Sequence, residues 1–211
     1  MIFRLDKRLL FPEPVLAEPD GLLAIGGDLS TNRLLLAYQN AIFPWYSEGE
    51  PILWYSPHER FVLYPDELKI SKSMRQVLRS GIFRVTYNQC FDRVITACSE
   101  VYREGQGGTW ITPAMKRAYN RLHAKGHAHS VEVWQQDNLV GGLYGVKVGK
   151  VFCGESMFSL VSNASKTALI HLSENGGYKL IDCQVHTAHL ESMGARLISR
   201  EEYMDVLNSE S

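Results

Sequence analysis

The most chemically suggestive stretch of the chain is the run IDCQVHTAHLESM. It brings together a carboxylate, a thiol, an amide and two imidazoles, at Asp182, Cys183, Gln184, His186 and His189. A cysteine nucleophile with a histidine base, a metal site, or a strand that simply leads into a helix would each fit these residue types.

The strand-like pattern KLIDCQV separates the groups of this apparent triad. Alternate residues of a strand share a face, so Asp182 and Gln184 point one way and Cys183 points the other. The two histidines supply at most two metal ligands, and no HExxH motif or cysteine pair supplies more, so no metal is predicted. A carboxylate beside an amide can hold an amine and steer its proton, which makes Asp182 and Gln184 the predicted catalytic pair.

A second carboxylate, Glu155, stands in the run CGESMFS, which reads as a central strand. A charge in such a strand is costly unless another group pairs with it, which indicates a functional residue. A glutamate at a strand end that faces water fits the same sequence, and both interpretations stay open.

Basic residues form two groups that could meet a phosphate backbone: Lys72, Arg75 and Arg79, then Arg117, Arg121 and Lys125. The second group repeats every four residues and forms one cationic face of a predicted helix. Most such faces are merely solvated. Trp45, Trp54 and Trp110 stand in polar surroundings, however, and make stacking on a nucleotide base plausible.

The elements that must position these groups divide the 211 residues into two parts. Residues 1–60 hold six of the eight prolines and aromatic runs such as FPWYSEGEPILWYSP, which favours a small lobe of irregular, aromatic-packed structure. From residue 61 to 211 strand and helix patterns alternate, and three strand-like runs joined by short turns predict an antiparallel meander. The pattern indicates an α+β domain with a mixed, largely antiparallel sheet.

Composition excludes several classes of protein. No apolar run approaches the roughly 20 residues that span a bilayer, and the first residues lack a secretion signal, so we expect no membrane contact and a cytoplasmic location. The four cysteines form no CxxC pair, which favours reduced thiols over disulfides or zinc. The formal net charge of −1 excludes a uniformly basic surface.

Several strings, in this order, resemble the leucyl/phenylalanyl-tRNA–protein transferases: IGGDLS, FPWYS, WYSPHERF, GGTWIT, LVGGLYGV, GESMFS, NASKTAL, DCQ and HLESMGA. The resemblance covers nearly the whole chain. It implies a GNAT-like acyltransferase domain behind a small N-terminal domain. It also implies an enzyme that moves leucine or phenylalanine, and methionine less well, from aminoacyl-tRNA to the N-terminal arginine or lysine of acceptor proteins, which marks them for degradation. A monomer without a cofactor is expected.

The resemblance also implies roles for individual residues. The terminal adenosine of the tRNA would lie between Trp45 and Trp110, with Tyr38 and Tyr119 nearby. The leucine or phenylalanine side chain would enter an apolar pocket formed by Leu143, Phe152, Glu155 and Ile181. The Q/R-x-x-G-x-G/A loop that holds coenzyme A in ordinary GNAT enzymes is missing, and LVSNASK stands there instead. A coenzyme-A-dependent N-acetyltransferase and a non-catalytic tRNA-binding module are the alternatives.

Overall fold

The N-terminal part forms a small sheet and one helix. The computed structural model describes residues 2–101 and 109–209. The small sheet has the order β1-β2-β4-β3 and the strands β1 (Phe3–Leu5), β2 (Leu22–Gly26), β3 (Phe43–Pro44) and β4 (Leu53–Tyr55). Helix α1 (Thr31–Gln39) lies between β2 and β3 in the chain.

The lobe thus combines short regular elements with irregular segments, and its strands of two to five residues are too short to show a period in sequence. Its aromatic packing is real. The Trp54 side chain is fully buried, its Nε1 donates a hydrogen bond of 2.8 Å to the carbonyl oxygen of Gly26, and Phe11 packs edge-on against it at 4.9 Å.

The larger sheet has seven strands in the order β11-β5-β10-β9-β8-β7-β6. They are β5 (Glu59–Leu63), β6 (Arg84–Tyr87), β7 (Ala128–Gln135), β8 (Asn138–Val148), β9 (Val151–Ser159), β10 (Leu180–Gln184) and β11 (Arg196–Ser199). Among the described pairings of this larger sheet, only that of β9 with β10 is parallel. The predicted α+β fold with a mixed, largely antiparallel sheet is confirmed, and the GNAT-like character of the domain stays a prediction.

The described residues of this domain form six further α-helices: α2 (Lys72–Arg79), α3 (Phe91–Glu100), α4 (Pro113–Ala124), α5 (Ala164–Asn175), α6 (Ala188–Ser192) and α7 (Arg200–Asn208). The starts of α4 and α7 follow the sequence signals. The Thr112 hydroxyl accepts the Met115 N–H at 3.2 Å, and the Ser199 hydroxyl accepts the Glu202 N–H at 3.1 Å. Each cap satisfies a donor that has no partner inside the helix.

The alternation of side chains along the strands divides the core into two clusters, one on each face of the large sheet. The first contains Val62 and Leu180 with α3, α4 and α7, and the second contains Phe61 and Ile181 with α2 and α5. The first cluster extends into the N-terminal lobe, since it also includes Trp54. The boundary at residue 60 falls within β5, two residues after that strand begins, and stays a prediction.

No helix within the described ranges is long and apolar enough to cross a membrane. The same residues contain no group of three or more histidine, cysteine, aspartate or glutamate side chains that could hold a metal ion. All four cysteines are free.

Candidate active site

The site forms where β10 leaves the regular ladder. Asp182 pairs with Val62 of β5 and Gln184 pairs with Phe61, so Cys183 is an extra residue in a bulge. Gln184 takes a left-handed backbone conformation, with φ of 60°. Such a φ is uncommon for a residue with a side chain and persists where the surroundings impose it.

Asp182 is completely buried, and both of its carboxylate oxygens are occupied. Oδ1 accepts the backbone N–H of Gln184 at 2.9 Å, and Oδ2 accepts the Tyr203 hydroxyl at 3.0 Å. Oδ2 also forms a buried ion pair with the Arg60 guanidinium. Asp182 is therefore tied to the protein rather than presented to a ligand.

The Gln184 side chain reaches across to Glu155 of β9. Its Nε2 donates a hydrogen bond of 3.0 Å to Glu155 Oε1. Because a carboxylate oxygen accepts this bond, the amide is oriented with Nε2 toward Glu155, and its own Oε1 is turned to accept a hydrogen bond from a ligand. The orientation of the Gln184 amide is thus set by the second carboxyl group.

Glu155 owes its position to a bulge in β9. Tyr144 pairs with Ser156 and Gly145 with Gly154, so Glu155 is the residue without a partner on β8. A Cβ atom at Gly145 would lie 2.3 Å from the Cys153 carbonyl oxygen, so this close approach requires glycine. The glutamate side chain is buried and turns toward α1 and α4.

Two tyrosines hold the Glu155 carboxyl group there. The Tyr38 hydroxyl donates to Oε1 at 2.7 Å, the Tyr119 hydroxyl donates to Oε2 at 2.9 Å, and the two phenols also contact each other. Burial raises the pKa of Glu155 to about 7, although hydrogen bonds from Tyr38, Tyr119 and Gln184 oppose the shift.

A cavity of about 410 Å³ opens onto this network. Trp45 and Trp110 line it, and the Trp45 side chain is 42% exposed. Its apolar wall is formed by Leu143, Phe152, Met157, Leu169, Leu172 and Ile181, and its polar lining includes Glu155, Asp182 and Gln184. The cavity is thus a largely apolar pocket with an aromatic wall and a few converging polar groups, as ligand sites commonly are.

Most residues expected at the site from the sequence lie around this one cavity, and two do not. Tyr38 and Tyr119 are buried behind Glu155 and are not among the described residues that line it. Sequence reasoning missed Leu169 and Leu172 of α5 and Met157 of β9. The spacing of the two leucines marks a buried helix face, but nothing in the sequence shows that this face borders a cavity.

Cys183 does not have the setting of a nucleophile. Burial, with a contribution from the Asp182 charge, raises the pKa of its thiol well above the usual range, which suppresses the reactive thiolate. The side chain packs against the second core cluster, away from Arg60 and Tyr203, as the strand pattern predicts. His186 forms an exposed pair with Glu191 at 3.0 Å.

The two basic groups lie against opposite faces of the large sheet. Helix α2, with Lys72, Arg75 and Arg79, packs on the second cluster, whereas α4 packs on the first. A shallow groove facing the start of α1 is lined by Arg117 and Arg121 of α4 and by Lys125, which directly follows this helix. Arg121 Nη2 already donates a hydrogen bond of 3.2 Å to the carbonyl oxygen of Leu29, so Arg121 contributes to the packing of the two lobes.

Solved structures resemble this fold only weakly. FemX aligns with a TM-score of 0.47 and 10% identity over 80% of this chain and 66% of that chain. A GCN5-related N-acetyltransferase from Kribbella flavida aligns with a TM-score of 0.39 and 10% identity over 75% of this chain and 57% of that chain. Similarities at this level support no conclusion about this chain.

The matching family models and the similar proteins all point to one family. The model of the leucyl/phenylalanyl-tRNA protein transferase family matches residues 62–208, and that of its N-terminal domain matches residues 27–58. A leucyl/phenylalanyl-tRNA–protein transferase of Syntrophobacter fumaroxidans is 58% identical over 98% of this chain and 89% of its own length. One of Flavobacterium johnsoniae is 58% identical over 99% of this chain and 100% of its own length. The chain belongs to the leucyl/phenylalanyl-tRNA protein transferase family.

Proposed function

We propose that this protein transfers leucine or phenylalanine from its tRNA to the N-terminal arginine or lysine of an acceptor protein. Aminoacyl transfer from tRNA to protein is the activity named in its family. The preferred amino acids, the basic acceptor terminus and the cytoplasmic, monomeric state expected from the sequence are parts of this proposal.

The observation that carries the proposal is the joint lining of one cavity by two tryptophans, an apolar wall and the Gln184 amide. The aminoacyl ester of a tRNA has a feature to match each of these: a flat adenine, an amino acid side chain, and a reactive carbonyl that lies between them. Adenine would stack on Trp45 and Trp110, since any base can stack on an aromatic ring. The amino acid side chain would enter the space beside Leu143, Phe152 and Ile181.

The apolar wall explains why leucine and phenylalanine would be preferred. Such a pocket discriminates by the methylene groups it buries, each worth about 1–3 kcal/mol of transition-state binding. Leucine and phenylalanine fill it, methionine fills it partly, and valine leaves much of the wall uncovered. Charged side chains are excluded because the wall offers them no partner.

The reaction is the aminolysis of an ester and needs no covalent enzyme intermediate. The acceptor nitrogen attacks the ester carbonyl carbon, a tetrahedral intermediate forms, and the bond to the ribose oxygen breaks. The nitrogen loses a proton and the ribose oxygen gains one. Holding ester and amine together removes a large part of the barrier, which is the main contribution asked of the enzyme.

The contacts of Gln184 support a positioning role in this step. Its Oε1 would accept a hydrogen bond from the acceptor amine, because its Nε2 is held by Glu155 at 3.0 Å. Asp182 would hold the backbone of Gln184 through the 2.9 Å bond from its N–H rather than receive the proton itself. Since both Asp182 oxygens are occupied and buried, positioning the amine accounts for these contacts better than a proton relay does.

A transfer assay tests the proposal. Purified protein is mixed with leucine-labelled tRNA and a peptide that begins with arginine, and the peptide is analysed by mass spectrometry. We expect one leucine to be added at its N-terminus. A peptide that begins with glutamate is the control for acceptor choice, and valyl-tRNA is the control for the pocket. Equal use of valine and leucine would contradict the proposed pocket.

The same preparation separates the alternatives. A coenzyme-A-dependent enzyme would bind acetyl coenzyme A in a calorimeter and acetylate the peptide. A tRNA-binding module would bind charged tRNA and leave the peptide unchanged. Either result, in place of leucine addition, would overturn the proposed function.

A further inference from the structure

Arg60 is a charged residue that the proposed reaction does not touch and that is nonetheless completely buried. Its guanidinium lies between two aromatic rings, 4.8 Å from the centre of the Phe43 ring and 4.6 Å from that of Tyr203. Nη1 donates a hydrogen bond of 3.0 Å to the carbonyl oxygen of Ala41, and Nη2 binds Asp182 Oδ2.

Stability alone does not account for such a residue. Withdrawing a guanidinium and a carboxylate from water costs several kcal/mol for each ion, and buried ion pairs can often be replaced by apolar residues without loss of stability. Arg60 and Asp182 therefore point to a task that an apolar pair could not perform. The contacts of Asp182 indicate that task.

The second oxygen of Asp182 is bound to the residue that would hold the acceptor amine. Oδ1 accepts the N–H of Gln184, whose backbone is left-handed. A residue with a side chain adopts this conformation at a cost in free energy and keeps it only where neighbouring groups impose it. The Asp182 carboxylate imposes it here, and Arg60 holds that carboxylate in place.

We propose that Arg60 is a positioning residue for the transfer reaction: by clamping Asp182 it maintains the left-handed turn at Gln184 and so aims the Gln184 amide at the acceptor amine. This inference rests on the proposed function. Arg60 also contacts the N-terminal lobe, through the Ala41 carbonyl and the Phe43 ring.

The proposal predicts that Arg60 acts through Gln184, which a double-mutant cycle can measure. Gln184→Asn keeps a residue that tolerates the left-handed conformation but shortens the side chain, and Arg60→Met removes the cation with an apolar chain. We expect each single change to lower kcat about 100-fold, the usual effect of misplacing a reacting group. The double variant should then be within about threefold of Gln184→Asn alone, because Arg60 has nothing left to position.

Two measurements distinguish positioning from general support of the fold. The KM for leucyl-tRNA should change less than about threefold in Arg60→Met, since the cavity side chains that hold the tRNA end are intact. Hydrogen exchange of the segment containing the Gln184 amide should become faster, because its acceptor has lost its clamp. Met74→Ala, a buried change on α2 outside the cavity, controls for loss of stability and should leave kcat unchanged.

If Arg60→Met does not fold, Arg60→Lys replaces it in the double-mutant cycle. A lysine retains the charge but cannot reach both Asp182 and the Ala41 carbonyl in the fork geometry of arginine, so we expect partial activity. Losses that multiply to about 10⁴-fold in the double variant would overturn the inference. If the wild type adds no leucine, the proposed function itself fails. If the wild type is active and the losses multiply, only the role of Arg60 fails.

Discussion

At the scale of single residues, the site depends on two carboxyl groups with different surroundings. Asp182 is paired with a buried arginine, whereas Glu155 is surrounded by neutral donors. Because Glu155 is buried among neutral groups, its pKa rises to about 7 from its ordinary 4.5. The two carboxyl groups thus stand on adjacent strands and both bind Gln184, Glu155 through its side chain and Asp182 through its backbone.

The raised pKa of Glu155 predicts how stability depends on pH. Between about pH 4.5 and 7 the unfolded chain releases the Glu155 proton while the folded protein keeps it, so the free energy of unfolding falls as pH rises through this window. The fall amounts to at most about 3 kcal/mol and levels off above pH 7. Glu155→Gln mimics the protonated carboxyl group and should lack this fall.

Denaturant unfolding at pH 5, 6, 7 and 8 checks this prediction. The quantity to compare is the difference in free energy of unfolding between wild type and Glu155→Gln at each pH. A difference that stays constant across the four values would show that Glu155 titrates in the folded protein as it does in water.

The two tryptophans of the cavity give a second prediction at this scale. Trp45→Ala and Trp110→Ala should each raise the KM for leucyl-tRNA by about 5- to 150-fold, which corresponds to the roughly 1–3 kcal/mol of stacking on one base. Steady-state kinetics with leucyl-tRNA measures this effect. The KM for the arginine peptide is the internal control, and a change confined to that KM would contradict adenine stacking.

At the scale of elements, helix α4 connects the cap at Thr112 to the site. The helix begins three residues after Trp110 and carries Tyr119, whose hydroxyl holds Glu155. The Thr112 hydroxyl satisfies the Met115 N–H at 3.2 Å and fixes the first turn. Helix α2 has an equivalent cap, in which Ser71 accepts the Met74 N–H at 3.1 Å, but α2 contributes no residue to the cavity.

These two caps make a matched pair. Thr112→Ala and Ser71→Ala should each lower the free energy of unfolding by about 1 kcal/mol. Only Thr112→Ala should lower kcat at saturating tRNA, by a factor on the order of 10, because fraying of α4 loosens Trp110 and Tyr119. Thermal unfolding and the transfer assay measure the two effects. An equal loss of kcat in both variants would mean that stability, rather than the position of α4, limits the rate.

At the scale of the whole molecule, the large sheet separates the two basic groups. One acceptor stem whose end occupies the cavity passes over one face of the sheet, so we expect only one group to contact its phosphates. Within each group one arginine is already bound to the protein. Arg75 Nε donates to the Ile70 carbonyl at 3.2 Å, and Arg121 Nη2 donates to that of Leu29.

The remaining cations allow a matched test. Lys72→Gln with Arg79→Gln removes two charges over the second cluster, and Arg117→Gln with Lys125→Gln removes two over the first. The affinity for leucyl-tRNA is measured across a range of salt concentrations. One pair should reduce the slope of log K against log salt by about 1–2, since each lost phosphate contact contributes about 0.7–0.9, and the other should leave it unchanged. Equal reductions would contradict a single tRNA-binding face.

The sequence determined the elements of this protein through local chemistry. Thr112 before Pro113 predicts the start of α4. The three strand-like runs joined by short turns predict the antiparallel meander of β7, β8 and β9. The strand order of Asp182, Cys183 and Gln184 also separates the thiol from the polar pair. Each of these signals depends on neighbours within a few residues, so it can be read without knowing the fold.

Only the tertiary structure decided which side chains of the site contact one another. Arg60 and Asp182 are separated by 122 positions, and Tyr38 and Glu155 by 117, so no local pattern could pair them. The bulges in β9 and β10 turn Glu155 and Gln184 toward each other, and they arise from the registers of strands that are distant in the chain. From the sequence, Asp182 is predicted to act directly on the amine and its proton. It is a buried counter-ion in the fold, because burial depends on what packs against a residue and not on what precedes it.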